Sequence, residues 1–278
     1  MLRPETYEDI VKLALKEDIA NGDITTSSTI PDGKQIDGKF IAKQSGIICG
    51  LDVVKHVFQI VDQTVKIKFM VEDGKEVKNG DLIATISGSA VGILIGERTA
   101  LNFLQRMSGI ATKTSKLAAL LNDLDTFIID TRKTTPGHRM LEKYAVLTGG
   151  GKNHRFNLSD GVLIKDNHIA STGSIKAAVE ASRKKAPHTI KIEVEVESLD
   201  QVKEAIDAGA DIIMLDNMSI DTMKKAVKII DKKALIEASG NMDQKDIRKV
   251  AETGVDFISI GGLTHTITAL DISLRLSQ

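Results

Sequence analysis

Between Asp130 and His168 the chain carries ten basic or imidazole side chains, Arg132, Lys133, His138, Arg139, Lys143, Lys152, His154, Arg155, Lys165 and His168, against four acids, Asp130, Glu142, Asp160 and Asp166. A planar guanidinium takes a carboxylate through two parallel charge-assisted hydrogen bonds, and ammonium and imidazole groups add donors of different reach. So dense a cationic stretch, with Gly149, Gly150 and Gly151 inside it, reads as a pocket for a strongly anionic small molecule. Any one Lys or Arg is as readily a solvated surface charge. The stretch as a whole is no solvated tail, because Tyr144-Ala145-Val146-Leu147, Phe156, Leu158 and Val162-Leu163-Ile164 are woven between the charges.

The elements that position these groups follow from composition and pattern. With 37 basic and 38 acidic residues the formal net charge is -1, so no global basic field exists to hold nucleic acid. At 278 residues and 42% hydrophobic the chain can bury one large core or two modest ones. It holds no apolar stretch of membrane-spanning length, and its start, MLRPETYEDIVKLALKEDIA, is amphipathic and acid-containing, unlike an export signal. A single cysteine, Cys49, excludes an internal disulfide. A cytoplasmic protein with neither membrane nor nucleic-acid partner is expected.

The second half alternates short β-rich runs with helical patterns. The runs are Phe127 to Ile129, Val162 to Ile164, Ile190 to Val196, Ile212 to Leu215, Ala234 to Ile236 and Phe257 to Ile260. Between them lie segments such as Ser198 to Ala208, with Leu199, Val202, Ala205 and Ile206 on one face and Ser198 as N-cap. Repeated β-α units imply parallel strands with right-handed crossovers, and polar residues at the strand ends favour a barrel over an open sheet. A complete eight-fold barrel takes about 250 residues. The space after the first hundred residues allows six or seven strands and an incomplete α/β barrel.

The first hundred residues have another rhythm: a helix at Thr6 to Ile19, a strand near Gly38 to Ile48, a helix at Leu51 to Val61 and hairpin-like alternation from Val65 to Ile86. The Gly-Asp turns between Val71 and Asp81 resemble those of a swinging-arm carrier module, although no lysine sits at the tip of a matching second hairpin. Helical patterning from Val91 to Leu121 then links the halves, with the domain border set at 107/108: residues 1–107 in the first domain and 108–278 in the second. The last ten or so residues are expected to return to the first domain.

Several strings together resemble quinolinate phosphoribosyltransferase, the carboxylating nicotinate-nucleotide pyrophosphorylase. They are Asp130-Thr131-Arg132-Lys133-Thr134-Thr135-Pro136-Gly137, Glu142 to Val146, Gly149-Gly150-Gly151-Lys152-Asn153-His154-Arg155 and Lys165-Asp166-Asn167-His168. The likeness extends to Glu97-Arg98-Thr99-Ala100-Leu101-Asn102, Glu193 to Glu197, Leu215-Asp216-Asn217, Ser239-Gly240-Asn241 and Gly261 to His265, so that nearly the whole chain is covered. The resemblance implies an N-terminal α/β sandwich domain beside the incomplete barrel. It implies transfer of the phosphoribosyl group of phosphoribosyl pyrophosphate to quinolinate, with Mg²⁺, giving nicotinate mononucleotide, pyrophosphate and carbon dioxide for NAD biosynthesis. It also implies a homodimer or higher oligomer in which Arg98 serves the neighbour's site.

The residue types suit that chemistry. Arg132, Arg155 and Arg98 match a dicarboxylate, and by the family likeness His154 and Lys165 stand around it; a mono-acid would strand buried cations. As pyrophosphate leaves, the anomeric carbon gains positive character, for which Glu195 and Asp216 are the natural acids; they are also the candidate Mg²⁺ ligands, directly or through water. Alternation in Glu193-Val194-Glu195-Val196-Glu197 sends the glutamates to one face of a strand, which is either a solvated face or part of the site. Ser239-Gly240-Asn241 and Gly261-Gly262 follow strands and offer backbone amides to a 5'-phosphate. Lys133 is the candidate bridge to phosphate or pyrophosphate oxygens, with Lys165 sharing that duty. Catalytic roles are thereby expected for Lys133, Lys165, Glu195 and Asp216. Two other readings stay open: a Schiff-base lyase using Lys133 or Lys165 as nucleophile, and a phosphoribosyltransferase-like protein whose basic pocket holds some other anion.

Overall fold

A sheet of four antiparallel strands forms where the first hundred residues alternate, and its edge strand arrives from far along the chain. The computed structural model describes residues 2–277. The backbone folds into two units, one holding the residues up to Ser115, Thr134–Gly150 and the residues from Thr266 on, the other Lys116–Lys133 and Gly151–His265. The first unit thus draws on three separated segments, the last of them the C-terminal residues expected to return to it and the middle one, Thr134–Gly150, an addition to that expectation.

In the first unit β1 (Gln35–Ala42) pairs antiparallel with β5 (Leu82–Ser89), which pairs with β3 (Lys66–Phe69). On the other side β1 pairs with β12 (Ile272–Leu276), in the register Phe40 to Leu274. Helix Leu51–Val61 buries Val53, Val54, Val57 and Phe58, the spacing of a single apolar face, and Phe58 meets Phe40 edge-on at 6.4 Å between centroids.

The turn before β4 (Glu76–Val77), which pairs with β2 (Gly46–Ile47), has a structural duty. Its Asp73 accepts from the backbone N–H of Gly50 at 2.9 Å and of Leu51 at 3.1 Å, satisfying orphan amides at the start of helix Leu51–Val61. Tyr144 donates to the same carboxylate at 3.0 Å. The Asp-Gly turn therefore serves as a helix cap, and the carrier-module reading has no counterpart.

Helix Ala90–Ala119 is continuous through the expected border at 107/108. Its Arg106 donates from Nε to Glu142 at 3.0 Å and from a terminal nitrogen to Thr135 at 2.7 Å, which ties segment 134–150 into the first unit. His138 stacks on Phe103 at 5.8 Å, and burial, with the Arg106 charge, lowers its pKa.

The second unit is a sheet of six parallel strands in the order β6-β11-β10-β9-β8-β7: β6 (Phe127–Ile129), β7 (Val162–Ile164), β8 (Ile192–Val196), β9 (Ile212–Asp216), β10 (Leu235–Ser239) and β11 (Phe257–Ser259). Helices separate successive strands, as right-handed β-α repeats require. Ser198 caps helix Leu199–Asp207 through its hydroxyl, which accepts from Gln201 N–H at 3.3 Å. The ring does not close: β6 and β7 are the two ends, and Lys152 makes a single parallel bridge to Ile129 on the outer side of β6. The fold is the expected α/β class with an incomplete barrel.

Candidate active site

The barrel strands deliver acids, and the loops beyond them deliver cations. On β8 the alternation that puts three glutamates on one face also sets them at three depths: Glu193 is buried, Glu195 half-buried and Glu197 exposed. Glu237, from the apolar strand β10, is buried as well, and Glu195 and Glu237 both align with Met214 of the intervening β9. Asp216 closes β9, and Ser239 closes β10 opposite it. Ligands sit at the carboxyl ends of such parallel strands, where these residues gather.

Asp130, directly after β6, has no exposed surface and organises the cationic loop. It accepts from Asn153 Nδ2 at 2.6 Å and from the backbone N–H of His154 at 2.9 Å. The His154 ring lies against the barrel acids, with Nε2 3.0 Å from Glu193 Oε2 and 3.6 Å from Glu237 Oε2. Its Nδ1 accepts from the backbone N–H of Arg155 at 2.8 Å. Both ring nitrogens therefore have partners within the protein.

Arg155 donates to the Gly161 carbonyl at 2.8 Å, spanning a loop that Asp160 closes by accepting from the amides of Phe156 and Asn157. Its Nε is buried and meets no acceptor among the described residues. Burial, and then the charge of Arg132, pull the Arg155 pKa below its usual value, with Glu193 and Asp160 opposing. Two guanidiniums held near one another with a donor unspent make a receptor for more than one negative charge.

Lys165, at the end of β7, donates from Nζ to Glu195 Oε2 at 2.8 Å. Lys133 lies over Gly261: a β-carbon there would sit 3.0 Å from Lys133 Cδ and 3.0 Å from His265 Nε2, so both side chains would have to give by a few tenths of an ångström. The Lys133 carbonyl accepts from Thr264 at 2.7 Å. A β-carbon at Gly262 would collide with the Asp243 carboxylate at 2.2 Å.

Beyond β9 and β10, Asp216 accepts from Asn217 Nδ2 at 2.7 Å, and Asn217 in turn accepts from Asn241 Nδ2 at 3.0 Å. Asn217, Gly240 and Asn241 all have left-handed backbones, and a β-carbon on Gly240 would fall 2.3 Å from Asn217 Oδ1. Lys245 donates to the Met218 carbonyl at 3.2 Å, its pKa lowered by burial against the pull of Asp216.

The second unit thus brings together Arg132, His154, Arg155, Lys165 and Glu195 in one group, and Asp216, Ser239, Gly240 and Asn241 at neighbouring strand ends, with Lys133 beside Gly261. Arg98 lies in the first unit, exposed on helix Ala90–Ala119. Of the ten cations of the central stretch, His138, Arg139 and Lys143 belong to the first unit, Arg139 bonded to Thr134 and Lys143 fully buried. Sequence reasoning missed Asp130, Glu237 and Lys245. The signal for Glu237 was a lone acid inside an apolar strand, which demands a partner.

A cavity of about 580 Å³ adjoins this unit between β7 and the two helices that follow it, lined by Arg155, Leu158, Val162, Ile164, His168 and Ser182 among others. Of the expected substrate-binding residues only Arg155 reaches it, and its largely apolar wall does not suit a dianion. The polar cluster at the strand ends is the better candidate.

Comparison with known proteins gives concordant results. The sequence pattern described as "Quinolinate phosphoribosyl transferase, N-terminal domain" matches residues 23–108, and the pattern for the C-terminal domain matches residues 110–275. A probable nicotinate-nucleotide pyrophosphorylase [carboxylating] of Bacillus subtilis is 45% identical over 261 residues, covering 94% of this chain and 90% of that protein. A decarboxylating quinolinate phosphoribosyltransferase (2b, mitochondrial) of Nicotiana tabacum is 41% identical over 98% of this chain and 83% of its own length. Among solved structures, NadC from Streptococcus pyogenes superposes with a TM-score of 0.95 at 43% identity, covering 99% of both chains. The nicotinate-nucleotide pyrophosphorylase from Francisella tularensis gives 0.95 at 41%, over 100% of this chain and 98% of that one.

Proposed function

The chain belongs to the quinolinate phosphoribosyl transferase family, and from that premise we infer that it transfers the phosphoribosyl group of phosphoribosyl pyrophosphate to quinolinate with loss of carbon dioxide, making nicotinate mononucleotide for NAD biosynthesis. The observation that carries the reading onto this chain's own residues is the Arg132–Arg155 pair with its unspent, buried Arg155 Nε. A pyridine with adjacent carboxylates supplies an acceptor for the buried Arg155 Nε and a second negative charge beside it. Nicotinate, with one carboxylate, lacks that second charge, and that difference is the basis of discrimination.

In the transfer, the pyridine nitrogen attacks the anomeric carbon, and the bond to pyrophosphate breaks. Glu195 and Asp216, at the ends of β8 and β9, face the charge that develops on the ribose. Lys133, beside Gly261, meets phosphate oxygens, and Lys165 is shared between Glu195 and the anionic substrates. Backbone amides of Ser239-Gly240-Asn241 and Gly261-Gly262 take the 5'-phosphate. Once ribosylated, the ring nitrogen is cationic and holds the electron pair left when the adjacent carboxylate departs as carbon dioxide; a proton then replaces it. No further organic cofactor is required.

Mg²⁺ fits the donor set as an oxygen-bound ion: Asp216 is a partly exposed carboxylate with one oxygen bound only by the Asn217 amide, whereas Glu195 already holds Lys165. Bound there with the substrate's pyrophosphate, the ion would neutralise the leaving group. A second copy of the chain completes the site by contributing Arg98.

The test is to incubate the purified protein with quinolinate, phosphoribosyl pyrophosphate and Mg²⁺ and to follow pyrophosphate and carbon dioxide. Equal amounts are expected, with little product from nicotinate. Arg155→Ala should raise the KM for quinolinate by about thirtyfold, the loss of one strong ionic hydrogen-bonding group, and leave the KM for phosphoribosyl pyrophosphate nearly unchanged. An unaltered quinolinate KM removes Arg155 from the dicarboxylate site.

A further inference from the structure

Beneath the site, two buried carboxylates and an imidazole lie close together. Glu193 and Glu237 are 4% and 2% exposed, and Oε1 of each is buried without a hydrogen-bond donor among the described residues. Together with His154 Nε2 their oxygens lie within 4.8 Å of one another. Two ionised carboxylates cannot share so dry a space; either a proton or a divalent cation must lie between them.

The imidazole decides which. A backbone N–H can only donate, and that of Arg155 points at His154 Nδ1 at 2.8 Å, so Nδ1 carries no proton. The ring proton is therefore on Nε2, where it faces Glu193 at 3.0 Å. A nitrogen that bears a proton cannot ligate a metal, which removes the third ligand of a cation site and leaves the proton.

We propose that Glu237 is held as the neutral acid and donates to Glu193, and that the chain Glu237–Glu193–His154 is a positioning device that fixes the backbone of Arg155 from below. Burial, and then the Glu193 charge, push the Glu237 carboxyl well above the usual carboxylate range, in keeping with that state. Other groups about the pair are the Arg155 guanidinium, which feels the Glu193 charge, the Ser259 hydroxyl and the Lys165 ammonium, which lies on Glu195 at 2.8 Å. In this arrangement His154, whatever else it meets, orients the backbone of Arg155. The inference rests on the reading of Arg155 as the quinolinate-binding group, but its first test does not.

That test is the tautomer of His154, read by nitrogen-proton NMR of the imidazoles with assignment by loss of the signal in a His154→Gln variant. A neutral ring protonated on Nε2 is expected in the wild type and in Glu237→Gln, whose amide replaces the acid's O–H donor with N–H. The Nδ1-protonated ring or an imidazolium in the wild type overturns the proposal. So does a stoichiometric divalent metal that the purified protein retains and Glu237→Leu loses. In steady-state kinetics Glu237→Gln should keep the quinolinate KM within about threefold, whereas Glu237→Leu, which removes the donor, should raise it about tenfold or more and leave the KM for phosphoribosyl pyrophosphate unchanged. Equal impairment in the two variants means that an ionised Glu237 is needed, and defeats the idea. Should Glu237→Leu fail to fold by thermal melting, the wild-type tautomer and the Glu237→Gln kinetics still decide. An unchanged quinolinate KM in Arg155→Ala would defeat the earlier reading and leave the tautomer result standing.

Discussion

Lys165 Nζ sits 2.8 Å from Glu195 Oε2, joining the carboxyl ends of neighbouring strands β7 and β8. The lysine side chain is 46% exposed, so this ion pair stabilises the fold by no more than about 1 kcal/mol. In the proposed reaction its value lies in holding an ammonium where anionic substrates arrive. Lys165→Met should lower kcat on the order of a hundredfold, as loss of a preorganised donor does, while moving the melting temperature by no more than about 4 °C. A kcat within twofold of wild type, with substrate saturating, would separate the lysine from the chemistry.

Asp130→Ala should be costly to stability as well as to activity. It takes from the part-buried Asn153 amide and His154 backbone N–H their fully buried acceptor, a loss of about 2 to 4 kcal/mol. Urea denaturation should show the midpoint falling with an unchanged slope. A stability equal to wild type would mean that the loop finds other acceptors.

Gly240→Ala should act on one substrate only. The backbone there is left-handed, and the new methyl would displace Asn217 and, through it, Asn241 and Asp216. The KM for phosphoribosyl pyrophosphate should rise by about tenfold, with the quinolinate KM little changed. A selective loss of quinolinate binding would reverse the assignment of these strand ends.

His138 gives a pH dependence of stability. Its folded pKa is lowered by burial, so the unfolded chain takes up a proton near the usual imidazole value of 6.5 while the folded chain takes it up only at lower pH. Unfolding then binds a proton, and stability falls as pH drops through and below about 6.5, with no contribution well above it. Thermal melts between pH 5 and 8 should show that fall, flattened in His138→Phe. Parallel curves for the two proteins would assign the acid sensitivity elsewhere.

The strands of the second unit were legible because each β-α repeat is local, and short runs such as Phe127–Ile129 and Val162–Ile164 match the structure in both bounds. Ser198 announced its helix by chemistry that needs no tertiary contact. What periodicity conceals is depth. Glu193, Glu195 and Glu197 share one face, yet only the barrel's shape makes the first a buried acid and the last a solvated one. Glu237 escaped notice because its partner, Glu193, is contributed by a strand two places away in the sheet. Linear density gave no sign that the segment holding His138, Arg139 and Lys143 belongs to the first unit, to which Arg106, on the helix linking the halves, ties it through Glu142 and Thr135.

The pairing of β12 with β1 has a consequence for biosynthesis. The first unit's sheet receives its outer strand from residues made only after every barrel strand has been translated, so until then β1 offers a bare row of amides and carbonyls to any neighbour. A ribosome-bound nascent chain should therefore acquire a protected barrel earlier than a protected antiparallel sheet, although the latter's first strand was synthesised long before.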